Sequence, residues 1–269
     1  MLEMMRVIDT HAHLYSEKFN HDQDAVIERA KTYLKAVFLP NVDLETIEPM
    51  WALTEKSPDF FFPMIGLHPT HVEVNFEKQL AAIEKELRDE NRKYVGIGET
   101  GLDLYWDKST LSRQQASLEV HFNWAKETEL PIILHARDAI DEVTDMIEAQ
   151  YEEGLTGIVH CFDGNSEQAT RICELDGFKV GIGGIVTYRK DVQQMVREIP
   201  LEWMVLETDS PYLPPVPHRK DKPRRNESSY THYVAEKVAE LKNLPLDEVA
   251  EVTNMNAENL FYEAEVMEA

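Results

Sequence analysis

Three absences narrow the classes of protein to which this chain of 269 residues can belong. It has two cysteines, Cys161 and Cys173, too few for the disulfide framework of a small secreted protein. It contains no run of about 18–20 apolar residues, so we expect no membrane-spanning helix and no membrane partner. Residues 1–6 lack the basic and apolar segments of a signal peptide. We therefore expect a cytoplasmic protein.

Positive charge is also scarce. The 27 lysines and arginines face 50 acidic residues, which gives a formal net charge of −23 at pH 7. A surface this acidic repels a polyanion and argues against broad, sequence-independent binding of nucleic acid. Residues 218–225 are the exception, with five bases and one acid, and without them the remainder has 22 bases, 49 acids and a net charge of −27. Any phosphate contact is therefore expected to be local.

Short β-branched runs alternate regularly with longer amphipathic segments. Eight strands are predicted, at 7–14, 37–42, 60–68, 94–103, 132–136, 157–162, 179–184 and 204–209. Segments of helical period lie between them, among them 44–56, and two further helices follow at 228–242 and 246–262. Such alternation favours parallel strands joined by right-handed crossovers. Eight units in about 250 residues predict an α/β (β/α)8 TIM barrel, forming a single domain over residues 1–269.

A doubly wound open sheet is the alternative fold. Dinucleotide-binding folds of that kind place a GxGxxG turn after the first strand. The first predicted strand here ends in Asp9-Thr10-His11-Ala12-His13 and has no such turn. The barrel is therefore the favoured architecture.

Metal-binding side chains recur where the predicted strands end. They are His11 and His13, His68, Glu99, His135, His160 and Asp209. The C-terminal ends of barrel strands share one face, on which such enzymes carry their active sites. Residues two apart on a strand point the same way, so the imidazoles of His11 and His13 both face the barrel axis. If His68 is set aside, six candidate ligands remain. A single tetrahedral ion uses fewer ligands than this, so the six predict two divalent cations bridged by Glu99.

Neighbouring residues are expected to have supporting roles. Asp9 and Asp103 are candidates to orient ligating imidazoles, and Glu207 is expected one layer deeper, in a structural role. By strand alternation Cys161 is expected to point outward and to pack against helices. Histidines of helices and loops, among them His121, are expected at the surface, and the tryptophans in the core.

Five blocks occur in order between residues 7 and 211. They are Val7-Ile8-Asp9-Thr10-His11-Ala12-His13, Gly96-Ile97-Gly98-Glu99-Thr100-Gly101-Leu102-Asp103, Ile133-Leu134-His135-Ala136-Arg137-Asp138, His160-Cys161-Phe162 and Leu206-Glu207-Thr208-Asp209-Ser210-Pro211. These blocks, with Gly66-Leu67-His68-Pro69, resemble the signature motifs of the TatD-type metal-dependent deoxyribonucleases of the amidohydrolase superfamily. The resemblance covers nearly the whole chain, and it implies a TIM barrel whose dinuclear metal site hydrolyses phosphodiester bonds of DNA.

When the positions of the family's motifs are transferred to this sequence, the resemblance also implies which residues bind the metal ions. His11, His13, Glu99 and Asp209 would hold the first metal ion, and His135 and His160 the second, with Glu99 bridging. Imidazole-rich ligation favours Zn²⁺ or Mn²⁺, whereas the family is commonly described as Mg²⁺-dependent, so all three ions stay open. Arg224-Arg225-Asn226-Glu227 matches the family's basic loop, but Ser228 replaces the family's proline.

The predicted activity is hydrolysis of DNA by a metal-activated hydroxide, as an exonuclease acting on single strands or ends. Asp209 is the candidate proton acceptor, and Glu99 the catalytic bridging carboxylate. The candidate substrate contacts, all to phosphate oxygens, are His68, Arg137, Arg219, Arg224 and Arg225. DNA is the expected partner, and no obligate protein partner is evident.

Two other hydrolases fit the same residues. Small-molecule amidohydrolases often bridge their metals with a carboxylated lysine on the fourth strand. This chain has Glu99 there and no lysine between Tyr94 and Leu104. A D-aminoacyl-tRNA deacylase is the second alternative, on another nucleic-acid ester. A non-enzymatic scaffold, the third possibility, predicts no bound metal.

Overall fold

Parallel strands alternate with helices along the chain. The structure is a computed structural model, and it describes residues 6–262. Its strands are β1 (Val7–Asp9), β2 (Leu34–Pro40), β3 (Phe61–Met64), β4 (Ile97–Asp103), β5 (Ile132–Arg137), β6 (Gly157–Val159), β7 (Phe178–Ile182) and β8 (Met204–Leu206). Its α-helices are α1 (Gln23–Tyr33), α2 (Leu44–Lys56), α3 (Phe76–Leu87), α4 (Leu111–Thr128), α5 (Ile140–Gln150), α6 (Ser166–Cys173), α7 (Lys190–Glu198), α8 (Thr231–Lys242) and α9 (Leu246–Tyr262).

Residues 1–5 and 263–269 lie outside the described residues. The prediction that no signal peptide is present falls largely on the first of these segments, and both ends of the predicted domain fall on them. Within residues 6–262, no helix combines the length and the apolar character needed to cross a membrane.

Backbone contacts join two parallel sheets into a barrel. The sheets have the orders β1-β2-β3 and β4-β5-β6-β7-β8. A parallel bridge between Ile65 and Ile97 connects β3 to β4, and a second, between Ala12 and Ser210, connects the segments that follow β1 and β8. The backbone N–H of His13 also donates to the carbonyl of Ser210 at 2.7 Å. The predicted α/β TIM barrel is confirmed.

The strands are shorter than predicted on the side that carries the chemistry. β1, β3, β6 and β8 each end three to five residues before the apolar runs end. Beyond β1, the chain still lies between its neighbours, since the N–H of Ala12 donates to Phe38 at 3.0 Å. The residues between the end of the ladder and the following helix therefore form irregular segments at the C-terminal rim of the barrel.

A small apolar cluster fills the barrel below this rim. Its strand residues include Ile8, Phe38, Ile133, Ile158 and Val205, and α9 adds Phe261. The rings of Phe38 and Phe261 stack at 3.9 Å between centroids. His135 lies two residues beyond Ile133 on β5, and His160 lies two residues beyond Ile158, directly after the end of β6. Strand alternation thus directs these two imidazoles into the barrel, at its opposite end from α9.

Candidate metal centre

Four imidazoles face the two carboxylate oxygens of Glu99. Oε2 lies 3.2 Å from His11 Nε2 and 3.4 Å from His13 Nε2. Oε1 lies 3.0 Å from His135 Nδ1 and 2.9 Å from His160 Nε2. Oε2 therefore faces two ring nitrogens from the segment after β1. Oε1 faces one from β5 and one from the segment after β6, and also His68 Nε2 at 3.2 Å.

Asp209 adds a second carboxylate to the candidate ligands, on the side of His11 and His13. Its Oδ1 lies 3.5 Å from His13 Nε2, and its side chain is mostly buried but lines the central cavity. The residue has a left-handed φ of 54°, and its carbonyl accepts a hydrogen bond from Tyr212, which turns the chain after β8. The structure therefore brings the six predicted residues together at one rim of the barrel.

Hydrogen bonds on the remote ring nitrogens orient two of the imidazoles. His135 Nε2 lies 3.1 Å from Asp103 Oδ2, so Nε2–H donates to that carboxylate and the lone pair of Nδ1 points towards Glu99. His13 Nδ1 lies 2.9 Å from the hydroxyl oxygen of Tyr15, which itself donates to the carbonyl of Pro40 at 2.6 Å, so Nδ1–H donates to Tyr15 and the lone pair of Nε2 is left free. Such contacts set the tautomer of ligating histidines. Asp103 therefore makes the contact with a candidate ligating imidazole that the sequence predicts.

Asp9, in contrast, contacts backbone and hydroxyl groups and no imidazole ring. It accepts hydrogen bonds from Thr208 N at 2.9 Å, Thr208 Oγ1 at 2.7 Å and His11 N at 3.3 Å. The predicted ring contact is wrong because backbone N–H groups occupy the carboxylate. Asp9 instead ties the end of β1 to the segment after β8, and so positions the backbone from which His11 projects.

Charge in the centre is divided unevenly. Burial lowers the pKa of His11, and the charge of His160 lowers it further. Burial alone would raise the pKa of Glu99, but the surrounding imidazoles, His68 first, hold it well below its usual value. For His160, burial opposes protonation, but Glu99 and Glu207 raise its pKa to about 10. A buried, ionised Glu99 therefore requires a cation beside it.

The donor chemistry of the centre fits a bound metal, whereas the unpartnered ring nitrogens lie on the side of the imidazoles away from Glu99. Among the described residues, the buried atoms without a hydrogen-bond partner include His11 Nδ1, His160 Nδ1 and Glu207 Oε2. Potential ligand atoms lie within 4.8 Å of one another in the groups His11-His13-Glu99, His11-His160-Glu207 and His68-Glu99-His135. Imidazole nitrogen with carboxylate oxygen is a donor set of Zn²⁺ and similar ions. The residues present thus fit divalent cations.

His68 belongs to one of these groups, but its hydrogen bonds make it a donor. Its Nδ1 accepts from Thr70 N at 3.2 Å and lies 2.7 Å from Thr70 Oγ1. The proton of the neutral ring is therefore on Nε2, which lies 3.2 Å from Glu99 Oε1. Burial lowers the pKa of His68 to about 4, so the ring is neutral at physiological pH. His68 presents an N–H group towards the centre rather than a lone pair.

Glu207 has the deep position predicted for it. The side chain is fully buried and accepts a hydrogen bond from the backbone N–H of Cys161. Its Oε1 lies 3.7 Å from His160 Nδ1. Glu207 therefore supports the chain segment that carries His160.

A cavity of about 660 Å³ opens over the centre. Its walls include Glu99 and Asp209 from the centre and, of the predicted substrate contacts, His68 and Arg137. The Arg137 guanidinium carbon lies 3.8 Å from the ring centroid of Tyr105. These two predicted substrate contacts are therefore placed beside the candidate metal ligands.

The three arginines of the basic segment are not among the residues that line this cavity. Arg225 forms a bidentate ion pair with Asp22, with N–O distances of 2.6 and 2.7 Å. Arg219 lies with its guanidinium carbon 4.0 Å from the ring centroid of Tyr188, which does line the cavity. Arg224 is exposed. The structure thus gives Arg225 a structural partner and leaves Arg219 at the outer rim.

Three side chains lie where the sequence did not place them. Cys161 lines the cavity, because its φ of 47° breaks the strand alternation that would have turned it outward. His121 is fully buried on α4, where Nε2 accepts a hydrogen bond from Leu67 N at 3.0 Å. Trp106 is 71% exposed and also lines the cavity. Trp106 follows the end of β4 by three residues, and a position just after a barrel strand is itself a sign of a place at the active-site rim. The sequence prediction considered only metal-binding side chains at these positions.

Comparison with known proteins agrees with this geometry. A family model described as TatD related DNase matches residues 8–262. YabD of Bacillus subtilis, an uncharacterized metal-dependent hydrolase, is 41% identical over 258 residues, which cover 95% of this chain and 98% of that protein. The 3'-5' ssDNA/RNA exonuclease TatD of Rahnella is 31% identical over 253 residues, covering 92% and 95%.

A solved structure extends the likeness to three dimensions. The crystal structure of YjjV, a TatD homolog from Escherichia coli, superimposes with a TM-score of 0.88 at 31% identity, covering 96% of this chain and 98% of that one. The chain therefore belongs to the TatD family of metal-dependent hydrolases.

Proposed function

We propose that this protein hydrolyses phosphodiester bonds of DNA, as an exonuclease on single-stranded ends, with two divalent cations. The placement of Glu99 carries the proposal: Oε2 faces His11 and His13, and Oε1 faces His135 and His160 as well as the N–H of His68. Paired metal ions are the common device for displacement at phosphorus. The name of the Rahnella relative, which specifies single-stranded DNA and RNA, supports a nucleic-acid substrate.

The ligand sets follow from the geometry around Glu99. Oε2 of Glu99 with His11, His13 and Asp209 would hold one cation, and Oε1 with His135 and His160 the other. Bound divalent cations lower the pKa of coordinated water and withdraw charge from a phosphoryl group. Four imidazoles favour Zn²⁺ or Mn²⁺ among the candidate ions, with Mg²⁺ as the third.

The protein's own groups would handle the proton and the phosphate. Asp209 faces the cavity and accepts the proton lost by the attacking water. The Nε2–H of His68, which lies 3.2 Å from Glu99 Oε1 in the structure, would donate to a non-bridging phosphate oxygen once Glu99 holds the cations. Arg137 has no carboxylate within 4.0 Å among the described residues, so its N–H groups are available to bind phosphate in bidentate fashion.

The basic segment would contact the substrate farther from the scissile bond. Arg219, held against Tyr188, and the exposed Arg224 can reach phosphates beyond the cavity. Arg225 is left out of this set because Asp22 already neutralises it. Because the rest of the chain carries a net charge of −27, which repels a polyanion, a short footprint at a strand end is favoured over binding along a duplex.

End-labelled single-stranded oligonucleotides test the activity. The protein is stripped with EDTA and assayed with Mg²⁺, Mn²⁺ and Zn²⁺ separately, while elemental analysis counts the bound ions. Glu99→Gln keeps the shape of the side chain but removes its charge, so we expect loss of at least one ion and at least about hundredfold slower cleavage. Glu119→Gln, on the exposed face of α4, is the matched control.

Two results would overturn the proposal. One is full metal content and cleavage in Glu99→Gln. The other is a metal-loaded wild-type protein that leaves oligonucleotides intact but hydrolyses a cyclic amide or a D-aminoacyl-tRNA, which would establish one of the alternative hydrolases instead.

A further inference from the structure

Two aromatic side chains are exposed on the loop after β4. Trp106 is 71% exposed and Tyr105 is 53% exposed, and their rings meet edge to face at 4.9 Å between centroids. A tryptophan left in water costs free energy unless something covers it, and an exposed aromatic group beside a cavity marks a binding surface.

The loop is anchored to the metal centre through Asp103. One oxygen of this carboxylate accepts a hydrogen bond from Tyr105 N at 3.1 Å, while the other lies 3.1 Å from His135 Nε2. The N–H of Leu104 donates to the carbonyl of Arg137 at 2.9 Å, which fixes the loop to the end of β5. The aromatic pair is therefore held in a set position relative to the ligand His135.

Arg137 adds a cation to the aromatic pair. Its guanidinium carbon lies 3.8 Å from the Tyr105 centroid and 5.6 Å from the Trp106 centroid. Trp106 and Arg137 line the same cavity as Glu99 and Asp209. An aromatic face with an adjoining phosphate-binding cation is the combination by which proteins bind unpaired nucleotides, since every base has a π-face.

We propose that Trp106, supported by Tyr105 and Arg137, is a stacking platform for the base of the nucleotide next to the scissile phosphate. This inference rests on the proposed nuclease function and names the residues that select its substrate. A base inside a duplex is covered on both faces and must be unstacked before it can meet Trp106. The platform therefore selects unpaired ends, and it reads the presence of a base rather than its identity.

Two measurements test the platform, one with cleavage and one without. The first compares kcat/KM for a single-stranded oligonucleotide with that for the same oligonucleotide carrying an abasic terminal nucleotide. The second compares the dissociation constants of deoxyadenosine monophosphate and deoxyribose 5-phosphate, which has the phosphate but no base. Wild type, Trp106→Ala and Trp106→Phe are compared, with Met255→Ala as the control at an exposed apolar residue of α9.

Stacking on one aromatic side chain is worth at least about 1 kcal/mol, a factor of about five. We expect the preference for the base-carrying ligand to fall at least about fivefold in Trp106→Ala, and to be restored largely by Trp106→Phe. Nucleotide binding should also quench a tryptophan fluorescence component that Trp106→Phe lacks. Met255→Ala should keep the wild-type preference.

The outcomes separate this inference from the function on which it rests. Wild-type protein that cleaves no oligonucleotide overturns the nuclease function, and the nucleotide dissociation constants then still decide the platform. An unchanged preference in Trp106→Ala, or an equal change in Met255→Ala, overturns the platform even if cleavage is robust.

Discussion

Acid pH should selectively weaken the packing of α4 against the loop that carries His68, through His121. The Nδ1 of His121 lies 2.7 Å from the carbonyl of Ser117, and Nε2 accepts from the N–H of Leu67 at 3.0 Å. The neutral ring satisfies both contacts, by donating from Nδ1. Protonation of Nε2 would set one N–H against another. Burial lowers the pKa of His121 from 6.5 to about 4.

The size and sign of the effect follow from this shift. Between pH 6.5 and 4 the unfolded chain binds a proton at this residue that the folded chain excludes, so the free energy of unfolding falls as the pH is lowered. The contribution of the neutral ring is complete above about pH 6.5 and is lost towards pH 4. A shift of about 2.5 pKa units at 1.36 kcal/mol each corresponds to about 3 kcal/mol, about half of it lost by pH 5.5.

Urea unfolding of wild type and His121→Gln, in EDTA at intervals from pH 7 to pH 4, measures this contribution. Glutamine keeps an acceptor for Leu67 N but does not titrate, so other acidic and basic groups cancel in the difference. We expect the stability advantage of wild type to shrink by about 3 kcal/mol as the pH falls. His21→Gln, at an exposed histidine, is the control. A difference between wild type and His121→Gln that stays constant to within about 0.5 kcal/mol would refute the reasoning.

Two further substitutions test how the rim is built. Asp103→Asn weakens the hold on His135, so affinity for one cation should fall about ten- to hundredfold in competition with a chromogenic chelator, whereas Asp107→Asn on the same loop should not change it. Equal affinities for the cation in the two variants would contradict the proposal that Asp103 orients His135. Gly101 has a φ of 136°, and an added Cβ would lie 2.1 Å from the carbonyl oxygen of His135. Gly101→Ala should therefore cost about 3 kcal/mol or more in urea unfolding, against about 1 kcal/mol for Gly154→Ala, where φ is also positive but the space is open. Similar losses in the two alanine variants would show that the close approach to β5 is unimportant.

Much of the fold could be predicted because it depends on local properties of the chain. The bounds of α2 and α9 agree with the predicted 44–56 and 246–262. Helix α2 begins where predicted because Asp43 and Thr46 form a capping box, a signal within four residues of sequence. The ends of β1, β3, β6 and β8 were predicted three to five residues too late, since an apolar run does not show where its ladder partners end.

The sequence by itself determined which residues meet at the rim. Strand alternation and the shared direction of parallel strands bring His135, His160 and Asp209 to one end of the barrel, however far apart they are in the chain. The tertiary structure alone decided how each side chain is used. The left-handed turn at Cys161, the burial of His121 and the exposure of Trp106 depend on backbone torsions and on neighbours distant in sequence, and neither is encoded in the spacing of residue types.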